Sequence, residues 1–249
     1  MSFELNPCYR QKTLIAKTLT THYSPFTTHY SQLTARSSQL EKMLNSTKIP
    51  LLTLPVMEHF YTLQGEGYHQ GRAAYFIRLG GCDVGCVWCD VKESWDAKLH
   101  PLTGIDTLVE EVKKTPARMV VITGGEPLLH NLDALTQQLQ DAGLETNIET
   151  SGSSPLSGKW NWVCLSPKKF KEPLPEVLNV ANELKIIVYN KSDFAWAEKY
   201  AALVPASCKL YLQPEWSRAA QMTPLIVDYI KLHPKWELSL QIHKYINVP

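Results

Sequence analysis

The sequence lacks any run of 18 or more apolar residues, and its start lacks the charged and apolar regions of a secretory signal. These absences predict a cytoplasmic protein without a membrane-spanning segment. A surplus of one charge sign is also missing, because 25 Lys and Arg residues face 24 Asp and Glu residues. A formal net charge of +1 gives no general field for nucleic acid or an anionic membrane, so neither is an expected partner.

The first 50 residues differ from the rest of the chain. They are rich in Ser and Thr, show no sustained apolar period, and contain only two acidic residues, Glu4 and Glu41. The whole chain, with 44% hydrophobic and 20% charged residues, has the composition of a globular protein. We therefore assign residues 1–50 to an N-terminal extension, either disordered or produced by a mis-assigned start codon, and residues 51–249 to the folded domain.

From residue 73 onward, short β-branched or aromatic runs alternate with helical patterns. The patterns predict helices over 131–142, 193–203 and 224–232. Alternating strands and helices imply parallel strands with right-handed crossovers, so we expect an α/β barrel or partial barrel. Such folds place their chemistry at the carboxyl ends of the strands. The predicted strands are 75–79, 119–122, 146–149, 162–165, 184–188, 209–212 and 237–241.

Cys82, Cys86 and Cys89 form a C-x₃-C-x₂-C run. Structural zinc takes four ligands, usually as two pairs, and no second C-x₂-C or H-x₃₋₅-H pair completes the set. A thioredoxin-like pair of Cys86 and Cys89 leaves Cys82 without a role. An iron–sulfur cube normally takes four thiolates, so three thiolates predict a [4Fe–4S] cluster with one iron open to a ligand.

A second signal is Thr123-Gly124-Gly125-Glu126-Pro127, directly after the predicted strand 119–122. Two glycines let the backbone approach a ligand closely, and Glu126 or nearby carbonyls can accept hydrogen bonds from an ammonium group. Taken alone, the segment is also typical of an ordinary strand-to-helix turn. Together with the cysteine run, it favours a ligand-binding function.

The cysteine run, with the aromatic Trp88 before its last cysteine, resembles the signature of the radical S-adenosylmethionine (SAM) superfamily. The resemblance implies that the open iron binds the amino and carboxylate groups of SAM, and that the reduced cluster cleaves the sulfonium to give a 5′-deoxyadenosyl radical. The Gly-Gly-Glu-Pro segment is similar to the one that contacts the methionyl ammonium in this superfamily. The implied fold is a shortened, modified radical-SAM-type β/α barrel.

Several further motifs, over residues 57–249, resemble the 7-carboxy-7-deazaguanine synthase family. They are YTLQGEG at 61–67, AAYFIRLGG at 73–81, IETSG at 148–152, SPK at 166–168 and LQIHKY at 240–245. The resemblance implies a carbon–nitrogen lyase that converts 6-carboxy-5,6,7,8-tetrahydropterin to 7-carboxy-7-deazaguanine plus ammonia, in queuosine and 7-deazapurine biosynthesis. It also implies a homodimer and a flavodoxin- or ferredoxin-like electron donor.

The resemblance also implies the site residues of this chain. Arg78 would grip the substrate carboxylate, since a guanidinium can donate two parallel hydrogen bonds. Glu149, Thr150 and Ser151 end a predicted strand and are additional, weaker candidates. The expected cluster ligands are Cys82, Cys86 and Cys89. The expected substrate contacts are Leu63, Gln64, Gly65, Glu66, Arg78, Thr123 and Pro249. The expected SAM contacts are Gly124, Gly125, Glu126, Ser166, Pro167 and Lys168.

One position departs from the family pattern. Members usually carry Thr or Ser two residues after the last cysteine, where the hydroxyl binds Mg²⁺, and this chain has Val91. Because Mg²⁺ requires a near-octahedral shell of oxygens, Asp90, Glu93, Ser94 or water would have to replace that hydroxyl. The resemblance thus implies a Mg²⁺ cofactor, and the substitution predicts weaker stimulation by Mg²⁺.

Two other functions fit part of the sequence. A glycyl-radical activating enzyme shares the cysteine run but acts on a protein, whereas the Gln-Gly-Glu loop favours a small pterin. A non-catalytic module could instead hold zinc through three cysteines and one histidine. The metal content separates the last alternative from an iron–sulfur enzyme.

Overall fold

Residues 52–249 are the part of the chain that this computed structural model describes, and they contain nine strands and six α-helices joined by loops and short 3-10 turns. The expected extension, residues 1–50, lies outside the described residues. The strands are β1 (Thr53–Leu63), β2 (Ala73–Leu79), β3 (Leu102–Gly104), β4 (Met119–Gly124), β5 (Glu145–Thr150), β6 (Trp162–Leu165), β7 (Glu183–Val188), β8 (Lys209–Pro214) and β9 (Trp236–Leu238). The helices are α1 (Ile105–Lys113), α2 (Asp133–Asp141), α3 (Pro175–Val180), α4 (Ser192–Ala201), α5 (Ala219–Leu232) and α6 (Ile242–Ile246).

All of these strands belong to one sheet in the order β3-β1-β2-β4-β5-β6-β7-β8-β9. Neighbouring strands are parallel from β2 to β9, whereas β1 pairs antiparallel with both β2 and β3. Parallel neighbours need long crossover connections, most of which contain a helix, whereas β5 and β6 are joined by a loop without one. The sheet has two ends, so the expected α/β architecture with a partial barrel is confirmed.

The main hydrophobic core lies between one face of the sheet and the helices. Ile122, Ile148 and Leu184 project from the strands and are fully buried, in one cluster with Leu135 of α2 and Ile226 of α5. Burying a side chain of this size stabilises a fold by about 1.5–3 kcal/mol. This layer therefore holds the strands in register and positions their carboxyl ends.

The opposite face of the sheet starts apolar and becomes polar toward the carboxyl ends of the strands. Ala74, Phe76, Met119 and Val121 form a small second cluster on β2 and β4. Since side chains alternate along a strand, the next positions on that face are two residues further on. These inward positions line a single cavity and include Arg78, Thr123, Glu149, Lys185 and Gln213.

The seven strands predicted from sequence all overlap observed strands, but β1 and β3 were not predicted. The prediction for 237–241 was wrong at its end, because β9 stops at Leu238 and Gln241 lies in a loop that reaches the cavity. The predicted helix at 224–232 begins earlier, at Ala219, with Pro224 inside it.

The longest helix in the described range is α5, with 14 residues. No helix within residues 52–249 combines the length and hydropathy needed to cross a bilayer.

Candidate active site

A cavity of about 280 Å³ collects most of the residues expected from the sequence. Its lining includes all three cysteines of the run and all seven expected substrate contacts. Of the expected SAM contacts, Gly124, Gly125, Ser166 and Lys168 line it. Glu126 is buried outside the lining, and Pro167 lines a neighbouring groove.

The cysteine loop is anchored by backbone hydrogen bonds. The N–H of Cys82 donates to the carbonyl of Trp95 at 3.0 Å, and the N–H of Cys89 donates to the carbonyl of Cys86 at 3.1 Å. Burial raises the pKa of Cys86 to about 11 and also raises the pKa of Cys82. These two thiols therefore stay protonated at neutral pH, and metal binding has to displace their protons.

The two glycines after β4 lie directly against the strand that leads into the cysteine loop. Gly124 has a φ of +145°, and a Cβ there would come within 2.2 Å of the carbonyl oxygen of Leu79. A Cβ on Gly125 would come within 2.3 Å of the carbonyl oxygen of Gly81 and 2.8 Å of the Cβ of Cys82. Only glycine fits these contacts, so the backbone of this segment forms a cradle beside Cys82.

Glu126 links the ends of two strands. Its Oε1 accepts hydrogen bonds from the Thr150 hydroxyl and from the N–H of Leu128 at 3.1 Å. Its Oε2 accepts hydrogen bonds from the hydroxyl and, at 2.8 Å, the N–H of Ser151. Both carboxylate oxygens are therefore engaged within the protein, which leaves the nearby backbone carbonyls as the candidate acceptors for a ligand ammonium.

The Ser-Pro-Lys segment lies beside the cysteine loop. The Nζ of Lys168 donates hydrogen bonds to the carbonyl and hydroxyl oxygens of Ser166, at 2.7 and 2.6 Å, and lies 5.9 Å from the ring centre of Trp88. Burial lowers the pKa of Lys168. Trp88 precedes Cys89, so these contacts connect the segment after β6 to the candidate cluster ligands.

The loop after β1 carries an ionic network into the cavity. Glu66 accepts a hydrogen bond from Gln241 at 2.8 Å and forms an ion pair with Lys185, while the amide of Gln64 donates to Glu149 at 2.9 Å. Burial raises the pKa of Glu66, but the charge and hydrogen bonds of its neighbours, Lys185 first, outweigh burial and lower it to about 2. Burial lowers the pKa of Lys185, but the two carboxylates outweigh this effect and raise it. Glu66 and Lys185 are therefore an ionised pair at neutral pH.

Arg78 and Thr123 are paired across β2 and β4. The Nε of Arg78 donates to Glu58 at 2.6 Å, which orients the guanidinium in the cavity wall. Its two terminal nitrogens have no hydrogen-bond partner among residues 52–249. A guanidinium held in this way keeps its outer fork available for a carboxylate.

The final residues close one side of the cavity. The N–H of Ile242 donates to the carbonyl of Gly65 at 3.0 Å, and a Cβ on Gly65 would lie 2.1 Å from Nδ1 of His243. The carbonyl of Pro249 accepts a hydrogen bond from the Thr62 hydroxyl at 3.3 Å. Helix α6 is therefore tied to the loop that carries Glu66.

The side chains around Val91 offer few free oxygens. The Ser94 hydroxyl donates to the carbonyl of Val91 at 2.7 Å, and Asp90 accepts from Lys244 at 2.9 Å. Asp90, Val91 and Ser94 line the cavity, whereas Glu93 does not. Within residues 52–249, no group of three or more His, Cys, Asp or Glu side chains is arranged to hold a single metal ion.

Sequence reasoning missed Lys185, Gln213 and Gln241, although all three line the cavity. The signal for Lys185 was available, because it is the one charged residue in the otherwise apolar run 184–188, and lysine is almost never fully buried unless it is paired. Gln241 carried no such signal, since only the early end of β9 places it in a loop.

The comparisons with known proteins agree with this geometry. Residues 76–172 match the family described as the Radical SAM superfamily. A 7-carboxy-7-deazaguanine synthase of Flavobacterium psychrophilum is 58% identical over 79% of this chain and 93% of its own length. One from Synechocystis is 48% identical over 80% of this chain and 96% of its own length. The structure titled "Crystal structure of QueE from Escherichia coli" is 35% identical, with a TM-score of 0.69, and the match covers 76% of this chain and 93% of that one.

The three cysteines, the adjoining glycine cradle and the partial barrel define a radical SAM enzyme. Membership of that class implies a [4Fe–4S] cluster and SAM. Within the class, the chain belongs to the 7-carboxy-7-deazaguanine synthase family.

Proposed function

We propose that this enzyme converts 6-carboxy-5,6,7,8-tetrahydropterin to 7-carboxy-7-deazaguanine with release of ammonia, in queuosine biosynthesis. The observation that carries the proposal is that one cavity brings together the three cysteines, the guanidinium of Arg78 and the ionic network around Glu66. The cysteines suit an iron–sulfur cluster, and the guanidinium suits the carboxylate of the substrate. The ionic network suits the N–H donors of the pterin ring. We further propose residues 51–249 as the catalytic domain.

The residues present fit the implied cofactors. Three cysteine side chains line the cavity, and the adjoining cradle is one that a Cβ at Gly124 or Gly125 would fill. Cys82, Cys86 and Cys89 would hold the cluster, while the Gly-Gly segment, Ser166 and Lys168 would bind SAM. When bound, the cluster and SAM would together supply the chemistry that abstracts a hydrogen atom from the substrate. The protein's own part is to orient the substrate and to exclude water.

The same cavity supports the proposed substrate contacts. The outer fork of Arg78 would bind the carboxylate of the pterin through two parallel charge-assisted hydrogen bonds. Glu66, with Gln64 and Gly65, would accept hydrogen bonds from the N–H groups of the pterin ring. Leu63, Thr123 and Pro249 would complete the walls around the ring.

Mg²⁺ has a weaker basis in this chain. Val91 offers no side-chain oxygen, Asp90 is paired with Lys244, and the Ser94 hydroxyl donates to a backbone carbonyl. We therefore propose that Mg²⁺ stimulates this enzyme less than it does family members with Thr or Ser at this position. Assays with Mg²⁺ and with a chelator test this, and strong dependence on Mg²⁺ would contradict it.

Two proposals concern partners and rest on the family resemblance. The electron is delivered by a flavodoxin- or ferredoxin-like protein, and the enzyme is a homodimer. Light scattering coupled to size exclusion measures the second directly. Assays with a reduced flavodoxin or ferredoxin in place of a chemical reductant test the first.

The decisive experiment combines anaerobic reconstitution with an assay of the full chain. We expect about four iron and four sulfide per chain. Incubation with the carboxytetrahydropterin, SAM and dithionite should then give 7-carboxy-7-deazaguanine and ammonia. One zinc per chain would exclude the radical class, whereas SAM cleavage without the deazaguanine acid would exclude only this substrate.

A further inference from the structure

Glu66, Glu149 and Lys185 form an ionic cluster inside the cavity. The Lys185 side chain is only 3% exposed, against 15% for Glu66 and 22% for Glu149. Its Nζ pairs with Oε2 of Glu66 and lies 3.6 Å from Oε1 of Glu149. One cation thus faces two carboxylates, so this part of the cavity carries one surplus negative charge.

The two carboxylates keep free acceptor capacity. Oε1 of Glu66 accepts from Gln241, and Oε1 of Glu149 accepts from Gln64. Oε2 of Glu149 has no hydrogen-bond partner among residues 52–249. A carboxylate offers about four lone-pair sites, so Oε2 of Glu149 and the remaining sites of Glu66 can accept hydrogen bonds from a ligand. A ligand that presents N–H donors to this part of the cavity uses that free capacity.

The proposed substrate has a matching edge. The pyrimidinone half of a pterin presents a ring N–H beside an exocyclic amino group, which gives two parallel donors. A carboxylate accepts such a pair in the same way as it accepts the two donors of a guanidinium. The surplus negative charge of the cluster favours this donor edge over an edge that presents acceptors.

We propose that Lys185 is a positioning residue that holds Glu66 and Glu149 as ionised acceptors for the N–H edge of the pterin. This deepens the proposed function and rests on it. Without the ammonium, burial disfavours two neighbouring carboxylates, and one of them takes up a proton. A protonated carboxyl presents a donor where the pterin needs an acceptor, so Lys185 controls substrate affinity through its two partners.

Other titratable groups around Lys185 do not replace its charge. Burial raises the pKa of Glu183 and Cys164, and burial lowers the pKa of His243 and Lys168. The Lys168 ammonium donates to the carbonyl and hydroxyl oxygens of Ser166 and forms no ion pair with Glu66 or Glu149. Within the described range, Lys185 is the only cation that forms an ion pair with Glu66 or Glu149.

The test replaces Lys185 with Met in the reconstituted full-length enzyme and measures kcat and KM for the carboxytetrahydropterin from about pH 6 to about pH 8. The KM of the wild-type enzyme should stay nearly constant over this range. The KM of Lys185→Met should be at least about tenfold higher near pH 6 and should fall as the pH rises, with kcat much less affected. Binding of fluorescent 6-carboxypterin near pH 6.5, which needs no turnover, should weaken by a similar factor.

Two further variants control this test. Lys209→Met removes an exposed lysine from the neighbouring strand and should leave KM and its pH dependence unchanged. The double variant Glu66→Gln with Lys185→Met removes the charges together, so it covers the case in which Lys185→Met alone does not fold. It should bind weakly, with less pH dependence than the single variant.

A wild-type KM in either Lys185 variant, or an increase in the KM of Lys185→Met that is independent of pH, would overturn the proposal. A purely structural lysine would produce the second result, with a lower melting temperature. A wild-type enzyme that forms no deazaguanine acid would instead refute the proposed function. The two failures are therefore distinguishable.

Discussion

Gly124 is the residue at which the site tolerates least change. Its φ of +145° and the 2.2 Å approach of a Cβ to the Leu79 carbonyl together exclude any side chain. We expect Gly124→Ala to destabilise the fold by about 3 kcal/mol or more and to abolish SAM binding, because a backbone contact has no rotamer through which to relax. Thermal unfolding and SAM titration measure the two effects.

Gly143 provides the matched control. It also has a positive φ, +77°, but a Cβ there meets nothing within 4 Å. Gly143→Ala should therefore cost only about 1–2 kcal/mol and leave SAM binding intact. Equal effects of the two substitutions would show that backbone conformation, and not the contact with β2, makes the cradle sensitive.

We expect Glu126 to stabilise the folded site, because its carboxylate links the segment after β4 to Thr150 and Ser151 at the end of β5. Replacing it with Gln turns one acceptor oxygen into an amide that faces donors at Ser151 or Thr150. The loss should be about 2–4 kcal/mol in the free energy of unfolding, measured by chemical denaturation. Glu110→Gln, which removes one partner of the exposed pair with Lys113, should cost no more than about 1 kcal/mol. Unchanged stability of Glu126→Gln would contradict the linking role.

Among the elements, α6 depends on a contact with the loop after β1. A side chain on Gly65 would displace His243, and with it the helix that carries this residue. Gly65→Ala should therefore raise the KM for the carboxytetrahydropterin by about tenfold or more, since small displacements of binding groups carry large penalties. Iron content should not change.

Gly71 in the same loop serves as the comparison, because a Cβ there meets nothing within 4 Å. Gly71→Ala should leave the KM within about threefold of the wild-type value despite its positive φ. If both substitutions raise the KM equally, loop strain, and not the position of α6, governs substrate affinity.

The strands of the parallel sheet were predictable because local periodicity determines them. The short, largely apolar and β-branched runs at 119–122 and 184–188 are typical of strands that are buried on both faces, as they are in this sheet. β1 was missed because Pro55 and mixed burial hide its pattern. The ionic network was missed because Glu66, Lys185 and Gln241 lie far apart in the chain, and only the tertiary fold brings them together.

At the scale of the whole molecule, buried titratable groups predict how stability depends on pH. Burial lowers the pKa of His69 and His243 below the ordinary value of 6.5, so the folded protein binds fewer protons than the unfolded chain. Stability is then complete above pH 6.5 and falls as the pH drops through it. Glu66 adds a second loss between its ordinary 4.5 and about 2.

Thermal unfolding of the full chain at a series of pH values should show the first decline between about pH 7 and about pH 5. Nε2 of His69 is buried without a hydrogen-bond partner among residues 52–249, so burial disfavours protonation of this ring in the folded state. His69→Phe removes this titrating group and should therefore make the decline in stability shallower. The exposed His233, replaced in the same way, should leave the slope unchanged. An equal slope in all three proteins would refute the assignment.

The two ends of the sheet have a consequence for self-association. Unpaired edge strands are templates on which other chains can add, and long flat ones promote aggregation. The strands at the two ends, β3 and β9, are each only three residues long. At the first end, however, β3 pairs only with Thr53–Pro55, so the outer edge of β1 from residue 57 to residue 63 has no strand partner within residues 52–249. That end therefore offers more free backbone groups to a neighbouring molecule than the β9 end does, and it is the edge at which the sheet can grow between chains at high concentration.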